Sequence, residues 1–94
     1  MDKREARHIL VSQLQSLRDK SYSELVKMVG GEPVDLEITG SSGVRYGIEV
    51  QIFWDDRPNG NVRVMGAIDD GGWRACFPLC ESFIKTPQNT FVGE

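Results

Sequence analysis

The chain has 94 residues, two cysteines, one histidine and a formal net charge of −3 at pH 7. That length holds one hydrophobic core, and a hydrophobic content of 39% supplemented by ten glycines is near the average for an ordered globular domain. The acid excess disfavours general nucleic-acid binding, which needs Lys and Arg to displace counterions from phosphates, and no apolar run is long enough to span a bilayer.

The first five residues lead straight into an amphipathic pattern, not into the apolar segment of a signal peptide, so a cytoplasmic location is expected. Ala6, Ile9, Leu10, Leu14 and Leu17 recur at helical spacing with Arg4, Arg7, Gln13, Gln15 and Arg18 between them, which predicts a helix over residues 2–18. Ser21-Tyr22-Ser23-Glu24 reads as a capping box. A short second helix follows through Leu25, Val26, Met28 and Val29. Gly30-Gly31 ends it, and Pro33 prevents its resumption.

From Pro33 onward the period switches to two. Val34, Leu36 and Ile38 alternate with Asp35, Glu37 and Thr39. Ser41-Ser42-Gly43 makes a three-residue hairpin loop, which sets Ile38 opposite Tyr46, Leu36 opposite Ile48 and Val34 opposite Val50. The second strand, residues 44–54, is apolar at every even position. A turn cluster over residues 55–60 leads to a third strand, Val62–Asp69, with Asp55 paired to Asn61, Val62 facing Trp54 and Val64 facing Ile52. Asp70-Gly71 predicts a tight turn into a fourth strand over residues 73–77, with Trp73 opposite Ile68 and Phe77 opposite Val64. Beyond Pro78, Ser82-Phe83-Ile84 and residues 90–94 flank a Pro87-Gln88-Asn89 turn, as an extra hairpin or an ordered tail.

These registers agree on one buried face, holding Leu36, Ile38, Tyr46, Ile48, Val50, Ile52, Trp54, Val62, Val64, Ile68, Trp73 and Phe77. Ile9, Leu10, Leu14 and Leu17 of the first helix can cover it. Gly66 falls mid-face, where a missing side chain lets a helix approach. The expected fold is α+β, a single domain over residues 1–94 with two N-terminal helices on one face of a four-stranded antiparallel meander.

Little in this pattern carries chemistry. Asp55-Asp56 and Asp69-Asp70 lie at opposite ends of the third strand, roughly 23 Å apart, too far to share an ion, and read as turn residues. Gly71-Gly72 and Gly40-Ser41-Ser42-Gly43 precede strands rather than helices and are not phosphate loops. Cys76 and Cys80 have the spacing of two reduced thiols, and with His8 the only histidine they lack partners for a zinc site. A Cys76–His8 nucleophile and base has no third residue to orient it. No catalytic, cofactor-binding or metal-binding residue is assigned, and no cofactor is expected. The basic side chains of the first helix, Lys3, Arg4, Arg7, Arg18 and Lys20, read as a solvated face.

The outer sheet face is the functional lead. Phe53, Arg63, Met65, Arg74 and Cys76 share it by parity, an apolar centre with a charged rim, beside a fourth-strand edge only partly protected by Pro78. Either Phe83, Ile84, Phe91 or Val92 folds back to cover this patch, or it binds a protein partner or a second copy through the third and fourth strands.

The closing stretch, Asp69-Asp70-Gly71-Gly72 through Pro78 and Ser82-Phe83-Ile84 to Phe91-Val92-Gly93-Glu94, resembles small uncharacterised bacterial proteins of the domain-of-unknown-function kind. The resemblance covers the last third of the chain and implies no activity. The sequence therefore points to a non-enzymatic interaction module. Its rivals are a small enzyme using Cys76 or the turn carboxylates, and a sheet-based nucleic-acid binder using Arg45, Arg63 and Arg74 with Phe53 as a stacking platform. The acidic balance argues against the second rival.

Overall fold

The structure, a computed structural model, describes residues 1–72 and 78–94. Helix α1 spans Lys3–Arg18. Asp2 sets its start: the carboxylate accepts the backbone N–H of Arg4 at 3.0 Å and of Glu5 at 3.1 Å, satisfying two donors that no helical carbonyl reaches. The helix buries Ala6, Leu10 and Leu14, one row of its apolar stripe.

Helix α2 is only Tyr22–Val26. Both bonds of the expected capping box are present at its start, Glu24 N–H to Ser21 Oγ and Ser21 N–H to the Glu24 carboxylate, each at 3.2 Å. The second helix is shorter than the sequence suggests. After Val26 the backbone tightens into turns, with Met28 N–H on the Leu25 carbonyl and Val29 N–H on that of Val26, and Gly30 takes a φ of +79°. Its Leu25 is fully buried.

Four strands follow: β1 (Val34–Thr39), β2 (Arg45–Trp54), β3 (Val62–Asp69) and β4 (Leu79–Lys85). They form an antiparallel sheet in the order β1-β2-β3-β4, so the molecule is α+β with a meander sheet. The first two registers are those expected. Val34 faces Val50, Leu36 faces Ile48, Val64 faces Ile52, and Asp55 N–H donates to the Asn61 carbonyl at 2.9 Å.

The third register corrects the sequence reading. Residues 73–77, expected as the fourth strand, lie outside the described residues. The strand on β3 is Leu79–Lys85, so Ile68 faces Leu79 rather than Trp73, and Val64 faces Phe83 rather than Phe77. The expected add-on hairpin is real, but its first arm is the fourth strand itself. Its turn is closed by Thr86 N–H on the Thr90 carbonyl at 2.9 Å, and Phe91 bridges back to Lys85.

Alternation failed there for a physical reason. The inner positions of β4 are Leu79, Glu81, Phe83 and Lys85, two of them charged. Glu81 receives the Arg7 guanidinium at 3.0 Å. Lys85, only 6% exposed, donates to the Lys20 carbonyl and to that of Arg18 at 3.2 Å, and its ammonium lies 4.9 Å from the centre of the Phe91 ring. A cation at the carbonyl end of a helix is favourable, because it meets both orphan acceptors and the negative end of the dipole.

These contacts hold α1 over β3 and β4. Gly66 admits the helix, as expected: a Cβ there would sit 2.8 Å from Leu10 Cδ1 and 3.2 Å from Leu14 Cδ2. The core gathers Ala6, Leu10, Leu14 and Leu25 against Tyr46, Ile48, Val50, Val62, Val64, Ile68 and Phe83. The helix packs chiefly on β3 and β4 and leaves much of β1 uncovered. Leu36, expected inside, is 40% exposed, and Ile38, Ile52 and Trp54 are half-buried.

Candidate functional site

Of the expected interaction face, Phe53, Arg63 and Met65 do share the outer side of the sheet. Phe53 lies opposite Arg63, which in turn faces Ile84, and Met65 lies between Gln51 and Ser82. All three are half-buried. Arg63 is tied down by its neighbours, donating to Asp55 at 2.7 Å and to Ser82 Oγ at 3.1 Å. Arg74 and Cys76 lie outside the described residues. Phe83 and Phe91 do not cover this face. They pack edge to face with each other, ring centroids 5.7 Å apart, on the inner side below α1, where the Arg18 guanidinium lies 4.1 Å from the centre of Phe91. Arg18 also holds the Glu94 carboxylate, which raises the arginine and lowers the glutamate from their ordinary pKa values.

The second pair of turn carboxylates acts on its own backbone. Asp69 accepts Gly71 N–H at 2.8 Å and Asp70 accepts Gly72 N–H at 3.3 Å, two residues on in each case. Among the described residues no group of three or more His, Cys, Asp or Glu could hold a metal ion. Cys80 is a free, exposed thiol.

Glu5 forms a polar cluster that periodicity could not show. Its carboxylate accepts Ser42 Oγ at 2.6 Å, Ser42 N–H at 3.0 Å, Tyr46 Oη at 2.8 Å and Ser41 Oγ at 3.3 Å. These bonds latch the first turn of α1 to the β1–β2 hairpin. Gly40 makes the room, since a Cβ there would come 2.5 Å from Glu5 Oε1. The two Ser42 bonds and then the Tyr46 hydroxyl lower the Glu5 pKa to about 2. Burial, and then the bond to Glu5, push Tyr46 up to about 12. A carboxylate so firmly ionised and a phenol so firmly protonated are poorly matched to proton transfer near neutrality. The cluster is a structural latch.

The remaining feature follows from the offset of α1. Between the helix, the segment after α2 and the sheet margin runs an apolar groove of about 210 Å³, with Leu17, Met28, Val34, Leu36, Val50 and Ile52 along it and Gln13 and Ser16 on its helical side. Val34 and Leu36 are 44% and 40% exposed. The groove opens along β1, an edge strand. Gly40 N–H donates to the Val44 carbonyl at 2.8 Å, which fixes the phase of the ladder. The even residues of β1 bond to β2, and the N–H and C=O of Asp35, Glu37 and Thr39 point to the free edge. The other edge differs, because Val92 N–H reaches the Ile84 carbonyl at 3.0 Å. No described residue covers β1 in that way. The sequence signal for this site was available only in part: alternation identifies Val34 and Leu36 as inner-face residues, not as uncovered ones.

No family model, no curated protein and no solved structure matches the chain.

Proposed function

We propose that the chain is a non-enzymatic protein-interaction module that receives an extended segment of a partner as a fifth strand on β1. One observation carries this reading: a bare strand edge is backed by an exposed apolar groove. An added strand gains main-chain hydrogen bonds from the edge and a place for alternate side chains in the groove. The fate of the rival groups supports the same choice. Asp55 is engaged with Arg63, Asp69 and Asp70 with backbone, and Arg45 is bonded to Glu37, which removes two of the cations a nucleic-acid reading would use. The outer-face cluster of Phe53, Met65 and Ile84 supports a second contact surface, because large apolar side chains adjoin there across three strands.

The test is a selection of displayed random heptapeptides against the protein, with the winners located by amide chemical shifts. Shifts confined to residues 34–39 and the groove are expected. Glu37→Pro should abolish binding, because it removes an edge N–H that β2 does not use, and should change stability by about 1 kcal/mol or less, since the lost ion pair with Arg45 is at the surface. Winners that shift Phe53 and Met65 instead would move the site to the outer face. A selection yielding no binder would overturn the module reading.

A further inference from the structure

We infer that the segment received by β1 is an extended peptide of alternating apolar and basic residues, an inference that rests on the strand-addition reading above. The two faces of β1 ask for different chemistry. Toward the groove, Val34 and Leu36 stand exposed and call for apolar neighbours. Toward the outer face, Asp35 and Glu37 alternate with them.

Asp35 stands directly opposite Glu49. This is the non-hydrogen-bonded type of antiparallel pair, in which opposing Cα atoms approach to about 4.5 Å and side chains are closest. Like charges facing one another across strands are destabilising. Glu37 is relieved by Arg45, at 3.0 Å from its Nε. Glu49 accepts the side-chain amide of Gln51 at 3.0 Å, and among the described residues neither Asp35 nor Glu49 forms an ion pair. The edge therefore sets two carboxylates opposite one another, neither in an ion pair among the described residues, beside an open strand position. A strand laid on β1 sets its own outer-face side chains about 4.8 Å away. Lys or Arg there offsets the repulsion, and Asp or Glu adds to it.

The same argument disfavours a second copy of this chain. In the two symmetric pairings of β1 strands that overlap them most fully and keep Val34, Leu36 and Ile38 on one shared face, Asp35 and Glu37 of one copy stand against Asp35, Glu37 or Thr39 of the other. Both registers gather acids on the outer face. A partner with basic residues in alternate positions meets both faces at once.

The experiment uses three synthetic heptapeptides with Val at alternate positions and Lys, Thr or Glu between, each titrated into the isotopically labelled protein. The Lys peptide is expected to shift amides 34–39 and to bind about tenfold more tightly than the Thr peptide at low salt, with the Glu peptide weakest. The preference should shrink at about 1 M salt, where screening is near 3 Å. It should also shrink in the double variant Asp35→Asn, Glu49→Gln, which folds because it removes a repulsion. Equal binding of all three peptides on β1 would overturn the basic assignment and leave strand addition standing. If none of them moves the β1 amides, strand addition itself falls. Concentration-dependent dimerisation through β1 without peptide would replace the basic partner with a second copy.

Discussion

Lys85 shows how one residue can decide where a strand lies. A lysine at an inner sheet position is costly unless its ammonium finds acceptors, and here the carbonyls of Arg18, at the end of α1, and of Lys20, just beyond it, supply them. The ammonium also lies 4.9 Å from the centre of the Phe91 ring. Lys85→Met keeps the stem and removes the donor, leaving the Arg18 and Lys20 carbonyls short of a partner. We expect a loss of about 1–3 kcal/mol in chemical denaturation. Lys27→Met, at an exposed position, serves as the control and should leave the midpoint unchanged. An equal effect of the two substitutions would remove Lys85 from this role.

At the scale of elements, the fold depends on latches between pieces far apart in sequence. The Glu5 cluster joins α1 to the β1–β2 hairpin and makes stability depend on pH. Glu5 has a pKa of about 2 in the folded chain against an ordinary 4.5, so between those values the unfolded chain binds more protons. The contribution is fully present above about pH 5 and is lost as pH falls toward 2. Tyr46 acts at the other limit: its pKa of about 12 lies above the ordinary 10, so its share is present below pH 10 and fades toward 12. Glu5→Gln should therefore be less stable than wild type at neutral pH, with the gap closing as the acid range is crossed. Parallel denaturation curves from pH 7 to 2 check this, and a gap independent of pH would contradict it. The β1–β2 and β2–β3 hairpins need no such latches for their register, because short turns and matched alternation specify each from neighbouring residues.

At the scale of the molecule, the position of α1 across the sheet separates residues that look alike in sequence. Val64 and Leu36 are both inner-face apolar residues, yet Val64 is fully buried and Leu36 is 40% exposed. Val64→Asp places an unpaired charge in the core and should cost several kcal/mol, enough to unfold a domain whose total stability is roughly 5–15 kcal/mol. Leu36→Ser should change stability by about 1 kcal/mol or less, since much of the side chain already meets water. Thermal melts of the two variants decide the matter, and similar losses would show the groove to be closed in solution.

The sequence by itself determined the first three strands, two of the three registers, the capping box of Ser21 and Glu24 and the shared outer face of Phe53, Arg63 and Met65, because each rests on local spacing or on turns that join neighbours. It also marked Gly66 as the place where a helix comes close. Tertiary structure alone decided the fourth strand and the groove. The inner positions of β4 include Glu81 and Lys85, which become compatible with a core only once Arg7 and the end of α1 are beside them. An apolar stripe on a helix says that it covers a sheet, not which strands it covers. That choice follows from the gap at Gly66 and the polar ties to β4, and it leaves β1 with an open edge.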